Sequence, residues 1–139
     1  MDEFLAVLTS VSRAVKAYLE SRLLAHGVHA GQQFILECLW QEDGLTPGEL
    51  AQRVGVETPT VTRAAQRMEA TGLVRRIPDE EDARLVRVYL TERGREVQRL
   101  LPALLRTATE EVLEGLAQKE RAELVRLLKR VQQNLLKEG

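Results

Sequence analysis

The chain is predicted to be mainly α-helical, with one small antiparallel β-hairpin between short central helices and long helices at both ends. Three features carry that prediction. Apolar residues recur at three- and four-residue steps through 2–25 and again through 92–137, the period of a helix that buries one face. Two short helical segments, each opening on Thr-Pro, begin at Thr46 and Thr58. Between Val74 and Leu90 the apolar period changes to two on either side of a polar loop, the pattern of a hairpin.

The totals narrow the function classes. A length of 139 residues suits one domain, 1–139. At 44% hydrophobic and 29% charged, the composition is globular rather than disordered. The net charge of −1 excludes a polycation, so any affinity for nucleic acid must come from local charge placement. Most of the twenty basic residues are Arg, which suits forked contacts to phosphates and base edges, although coding bias explains the same choice. Cys38 is the only cysteine, which excludes an intramolecular disulfide and a four-cysteine zinc site. No apolar run reaches a membrane span and no signal-peptide pattern opens the chain, so a cytoplasmic protein without a membrane partner is expected. There is no Gly-rich phosphate loop, metal-ligand array or nucleophile–base set. The expectation is therefore no enzyme, no cofactor and no metal.

Taken in order, 2–25 reads as one amphipathic helix with Phe4, Leu5, Leu8, Val11, Val15, Tyr18, Leu19 and Leu23 on its stripe. Asp2 is its expected N-cap and Gly27 its stop signal. So much apolar surface needs a partner, either the chain's own domain or a second subunit. Gln32–Trp40 follows as a short helix. Cys38 lies there among hydrophobes, with Glu37 as its charged neighbour, which favours a buried thiol over a reactive one. His26 and His29 flank a glycine turn with no adjacent carboxylate, and read as solvated loop residues rather than metal ligands.

The stretch Leu45–Arg76 is the most informative. After a loop at 42–44, Thr46-Pro47-Gly48-Glu49 forms a capping box with proline in the first turn. Leu50, Ala51 and Val54 make the inner face, and Gly55 ends the helix where the chain turns sharply. Thr58-Pro59 then reads as a second cap with its proline. Small Ala51, Gly55 and branched Val61 stand where two crossing helices need close approach, a turn and a wedge, which makes this a helix-turn-helix. On the second helix Val61, Ala64, Ala65, Met68 and Gly72 share one side. Pro59, Arg63 and Gln66 point the other way, with Thr60, Thr62 and Arg67 on the flanks. Arg forks onto guanine and Gln onto adenine in a major groove, while Thr58, Thr60 and the first-turn amides suit phosphates. A solvated polar face shows the same pattern, so the following segment decides. Val74–Ile77 and Leu85–Leu90 are strands around the loop Pro78–Arg84. A helix-turn-helix followed by a hairpin is a winged helix, whose tip residue Arg84 is placed to enter a minor groove.

The block LTPGELAQRVGVETPTVTRAAQRMEATGLVRR, the wing DEEDAR and the following VRVYLTERG resemble the MarR family of regulators, and the order of flanking helices extends that resemblance over essentially the whole chain. The fold expected is a winged helix-turn-helix with a small antiparallel β-wing (lobe 32–90), flanked by N- and C-terminal dimerisation helices (2–25 and 92–137). The resemblance implies that the second helix of the motif reads DNA, that Arg84 is the wing arginine and that Asp82 orients it. The wing departs from the family pattern in carrying Asp79, Glu80 and Glu81 where a further base is common. Thr91 is expected to cap a long helix containing Pro102, and a last helix runs to Lys137 with Leu124, Leu127, Leu128, Val131 and Leu135 on its stripe. Family resemblance implies a homodimer on a pseudo-palindromic double-stranded operator, usually a repressor released by a small-molecule effector. Tyr18, His29, Cys38 and Trp40 are the effector-contact candidates. Alternatives are a redox regulator switched through Cys38, and a winged helix used only for protein contacts.

Overall fold

A computed structural model describes residues 2–136 and follows the expected element order. The cap assigned to the Asp2 side chain and the helix end assigned to Lys137 lie outside the described residues. Helix α1 spans Asp2–Leu23 and is extended by a 3-10 turn, Leu24–His26. Then come α2 (Gln32–Gln41), α3 (Pro47–Val54), α4 (Thr58–Ala70), strands β1 (Val74–Pro78) and β2 (Val86–Leu90), α5 (Glu92–Val112) and α6 (Gln118–Leu136). The chain forms two compact units, Met1–Leu105 and Arg106–Gly139. Among the described residues no helix is long and apolar enough to cross a membrane.

The core of the first unit is built by the residues the periodicity singles out. Leu36 and Leu39 of α2, Leu50 of α3, Val61 and Met68 of α4, Leu73, Val74 and Val88 at the hairpin, and Leu101 of α5 are all buried. Ala51 and Val61 are buried together, so the small residue and the wedge do admit α3 and α4 to close contact. Gly55 takes φ 84°, which a side chain would strain, and its N–H donates to the Ala51 carbonyl at 2.8 Å. The capping box forms: the Thr46 hydroxyl accepts from the Glu49 N–H at 3.2 Å, and Glu49 Oε1 accepts from the Thr46 N–H at 3.0 Å.

Thr58 is not the cap of α4. The cap position is Glu57, whose carbonyl receives the Thr60 and Val61 amides, so the first helical turn closes one residue early and Thr58 is already inside it. The loop 42–44 also does more than connect. Gly44 N–H donates to the Val88 carbonyl at 3.0 Å, and Val88 N–H to the Leu45 carbonyl at 2.9 Å, so Leu45 bridges the free edge of β2. A single bridging residue has no period from which sequence could reveal it. β1 and β2 pair antiparallel from Val74↔Leu90 to Pro78↔Val86.

Thr91 caps α5 as expected, its hydroxyl accepting from Gly94 N–H at 3.0 Å and donating to the Gly72 carbonyl at 2.5 Å. Gly94 lets the start of α5 lie against the backbone just before β1, since a Cβ there would stand 2.1 Å from the Leu73 carbonyl oxygen. In the second unit, Arg121 closes the α5–α6 turn by donating to the carbonyls of Leu113 and Leu116 and to Glu110. Helix α6 has no buried residue among those described, and its stripe of Leu124, Leu127, Leu128 and Leu135 is exposed.

Candidate nucleic-acid interface

Helix α4 is buried on its inner side and exposed on its outer side. Val61, Ala65 and Met68 anchor it in the core. Its last turn is tied to β1 by Glu69, whose carboxylate accepts the Arg76 N–H and Nε at 3.0 Å each. Those two bonds hold the Glu69 carboxyl below the ordinary range, so the first acid along the helix is already engaged. On the outer side Thr58, Pro59, Thr60, Arg63, Gln66 and Arg67 are exposed. Thr62 is half-buried and its hydroxyl donates to the Thr58 carbonyl at 3.2 Å, so that donor is spent within the helix. Among the described residues the side chains of Arg63, Gln66 and Arg67 have no hydrogen-bond or ion-pair partner. Arg53, Arg76, Arg87 and Arg95, by contrast, each meet a carboxylate within 3.0 Å. The outer face of α4 therefore keeps its forked donors available to an anionic or base-edge acceptor.

The wing arginine is presented by its acid. Nε and Nη2 of Arg84 donate to Asp82 Oδ1 and Oδ2 at 3.0 and 3.1 Å, and the Arg84 N–H donates to Oδ1 at 3.1 Å. The guanidinium remains 91% exposed, and the Arg84 contact holds the Asp82 carboxyl low. Asp79, one of the three acids that set this wing apart, is not free. It is only 15% exposed; its carboxylate accepts from Arg87 Nε at 2.5 Å and from the amides of Asp82 and Glu81 at 2.9 and 3.1 Å. The acidic character of the tip thus falls to Glu80 and Glu81.

The four effector candidates are not brought together. A cavity of ≈ 500 Å³ opens between α2, the α3–α4 turn and α4, lined by His29, Phe34, Ile35, Val56, Thr60, Arg63, Ala64 and Arg67 among others. Only His29 of the four lies on it. Cys38 packs against the core, where burial pushes its thiol up, and Arg53 nearby only partly opposes that. Trp40 is exposed with the Arg99 guanidinium 5.8 Å above its ring, and Tyr18 stacks with Arg22 at 4.2 Å. His29 is also not a simply solvated loop residue. Its Nδ1 lies 2.6 Å from Glu20 Oε1, while Glu20 Oε2 accepts the Ala30 N–H at 2.6 Å. The carboxylate comes from α1, nine residues earlier, which the local reading missed. Phe34 of α2 is 56% exposed at the cavity. Among the described residues no group of three His, Cys, Asp or Glu side chains could hold a metal ion.

A capped helix, a glycine turn, an outward basic helix and an arginine-tipped hairpin in this order define a winged helix-turn-helix of the DNA-binding class. Residues 29–86 match the model of the MarR family. The chain is 26% identical over 135 residues to the uncharacterized HTH-type transcriptional regulator YybA of Bacillus subtilis (strain 168), a match covering 97% of this chain and 90% of that one. A MarR transcriptional regulator from Methanosarcina mazei Go1 superposes over 100% of both chains with a TM-score of 0.83 at 25% identity. A mutant MarR from E. coli, complexed with operator DNA, gives a TM-score of 0.80 at 28% identity, covering 91% of each chain. The proteins that this chain resembles are transcriptional regulators.

Proposed function

We propose that the protein is a homodimeric repressor that reads a pseudo-palindromic operator and leaves it when a small molecule binds. The observation that carries this reading is the unpartnered Arg63–Gln66–Arg67 face on a helix whose other side is locked in the core. In a major groove, Arg63 and Gln66 would contact base edges. Thr58, Pro59, Thr60, Thr62 and Arg67 would border the backbone, while Arg84 enters the minor groove beside it. Exposed apolar stripes on α1 (Phe4, Leu5, Val7, Val11) and α6 favour pairing of two chains, as soluble proteins seldom leave such surfaces bare. Two reading helices then sit about one DNA turn, ~34 Å, apart. Such a dimer acts in the cytoplasm.

The cavity beside α4 is the proposed effector site. Thr60, Arg63 and Arg67 belong both to its wall and to the reading face, so an occupant that bonds them differs in affinity between free and DNA-bound states. The raised thiol pKa of Cys38 speaks against the redox alternative, because the thiolate is the reactive form.

The test is a selection of bound DNA fragments followed by affinity measurements at matched salt. Arg63→Ala is expected to cost about 1–3 kcal/mol and to relax preference at one base position. Arg84→Ala is expected to lose most on A·T-rich flanks. Wild-type binding by both variants would leave protein contacts as the role of the winged helix.

A further inference from the structure

Arg87, on β2, joins three segments that the sequence keeps apart. Its Nε donates to Asp79 Oδ1 at 2.5 Å, at the start of the wing loop. Its Nη1 donates to the Gly44 carbonyl at 2.8 Å, forty-three residues away, and lies 3.8 Å from Glu49 Oε1, the carboxylate of the α3 capping box. Asp79 Oδ2 accepts the amides of Glu81 and Asp82 and so shapes the tip, and Asp82 grips the Arg84 guanidinium. A continuous run of polar contacts therefore leads from the base of the helix-turn-helix to the exposed wing arginine. Arg87 is 36% and Asp79 15% exposed, so their charge-assisted bond is better shielded from water than an ordinary surface pair.

We propose that Arg87 is a positioning residue for DNA recognition, latching the wing to the start of α3 so that Arg84 is held at a fixed place relative to α4. The inference rests on the reading that Arg84 contacts DNA. A two-stranded hairpin is marginal unsupported, and a loose tip must be ordered at the moment of binding. The latch removes that cost in advance. The same bond neutralises Asp79 near the phosphates, a rival explanation that predicts the opposite response to removing the acid.

The experiment measures affinity for the selected operator with A·T-rich flanks, at matched salt, beside thermal melts of each variant. Arg84→Ala is expected to lose on the order of tenfold. Arg87→Leu is expected to lose several-fold alone and to add nothing in the double variant with Arg84→Ala, because the share of Arg84 is already gone. Asp79→Asn, which keeps an acceptor for the tip amides, should behave the same way and decides alone if Arg87→Leu does not fold. Losses that multiply, an unchanged affinity in Arg87→Leu, or tighter binding by Asp79→Asn would each overturn the latch while leaving the Arg84 reading intact. Wild-type affinity in Arg84→Ala would overturn both.

Discussion

Asp79 and Asp82 make the wing loop depend on pH in a direction set by their partners. Arg87 first, and then the Asp82 amide, hold the Asp79 carboxyl below its ordinary value of 3.8, and Arg84 does the same for Asp82. A carboxylate depressed in the folded state contributes stability above its unfolded pKa and loses it as pH falls through the folded value. The loop should therefore be indifferent between pH 5 and 8 and loosen only below about pH 4. Amide exchange of Glu81 and Asp82, corrected for the intrinsic pH dependence of exchange, is the readout. Protection that faded already between pH 7 and 5 would show that these bonds do not hold the tip. At this scale the family resemblance singled out Asp82 and Arg84, whose side chains the fold brings into contact. The sequence carried no sign of the Asp79 contact, because its partner Arg87 lies eight residues on, in β2.

At the scale of elements, caps and turns explain why the central helices begin and end where they do. The capping box of α3 and the Glu57 start of α4 give a paired expectation. Thr46→Ala should destabilise by about 1 kcal/mol, since it leaves the Glu49 N–H without its acceptor. Thr58→Ala should change stability by less than about 0.5 kcal/mol, because Thr58 caps nothing. Chemical denaturation of the two variants tests this, and equal losses would return the cap to Thr58. Helices, strands and the glycine turn were legible because each signal lies within a few residues of its effect. The Leu45 bridge was not, since one residue pairing with Val88 carries no pattern of its own.

For the whole molecule, the proposed self-association rests on the exposed stripes of α1 and α6. If they pair two copies, Leu124→Glu with Leu128→Glu should leave helical content intact and shift the protein toward monomer in sedimentation at micromolar concentration. Operator affinity should fall steeply, because two heads then no longer bind as one. A double variant that sediments as wild type would assign the stripe of α6 another role.

Periodicity, capping residues and turn glycines were enough to establish the winged helix and the outward face of α4, because these are written over short stretches of chain, whereas the Arg84–Asp82 pair came from the family resemblance. Proximity between distant residues had to come from the folded chain. Arg87 meeting Gly44, Glu20 meeting His29, and the cavity that sets Phe34 and Val56 beside Arg63 and Arg67 all join segments whose spacing carries no local signal. Helical and strand periods specify which face turns inward, but not which side chains from other elements wait there.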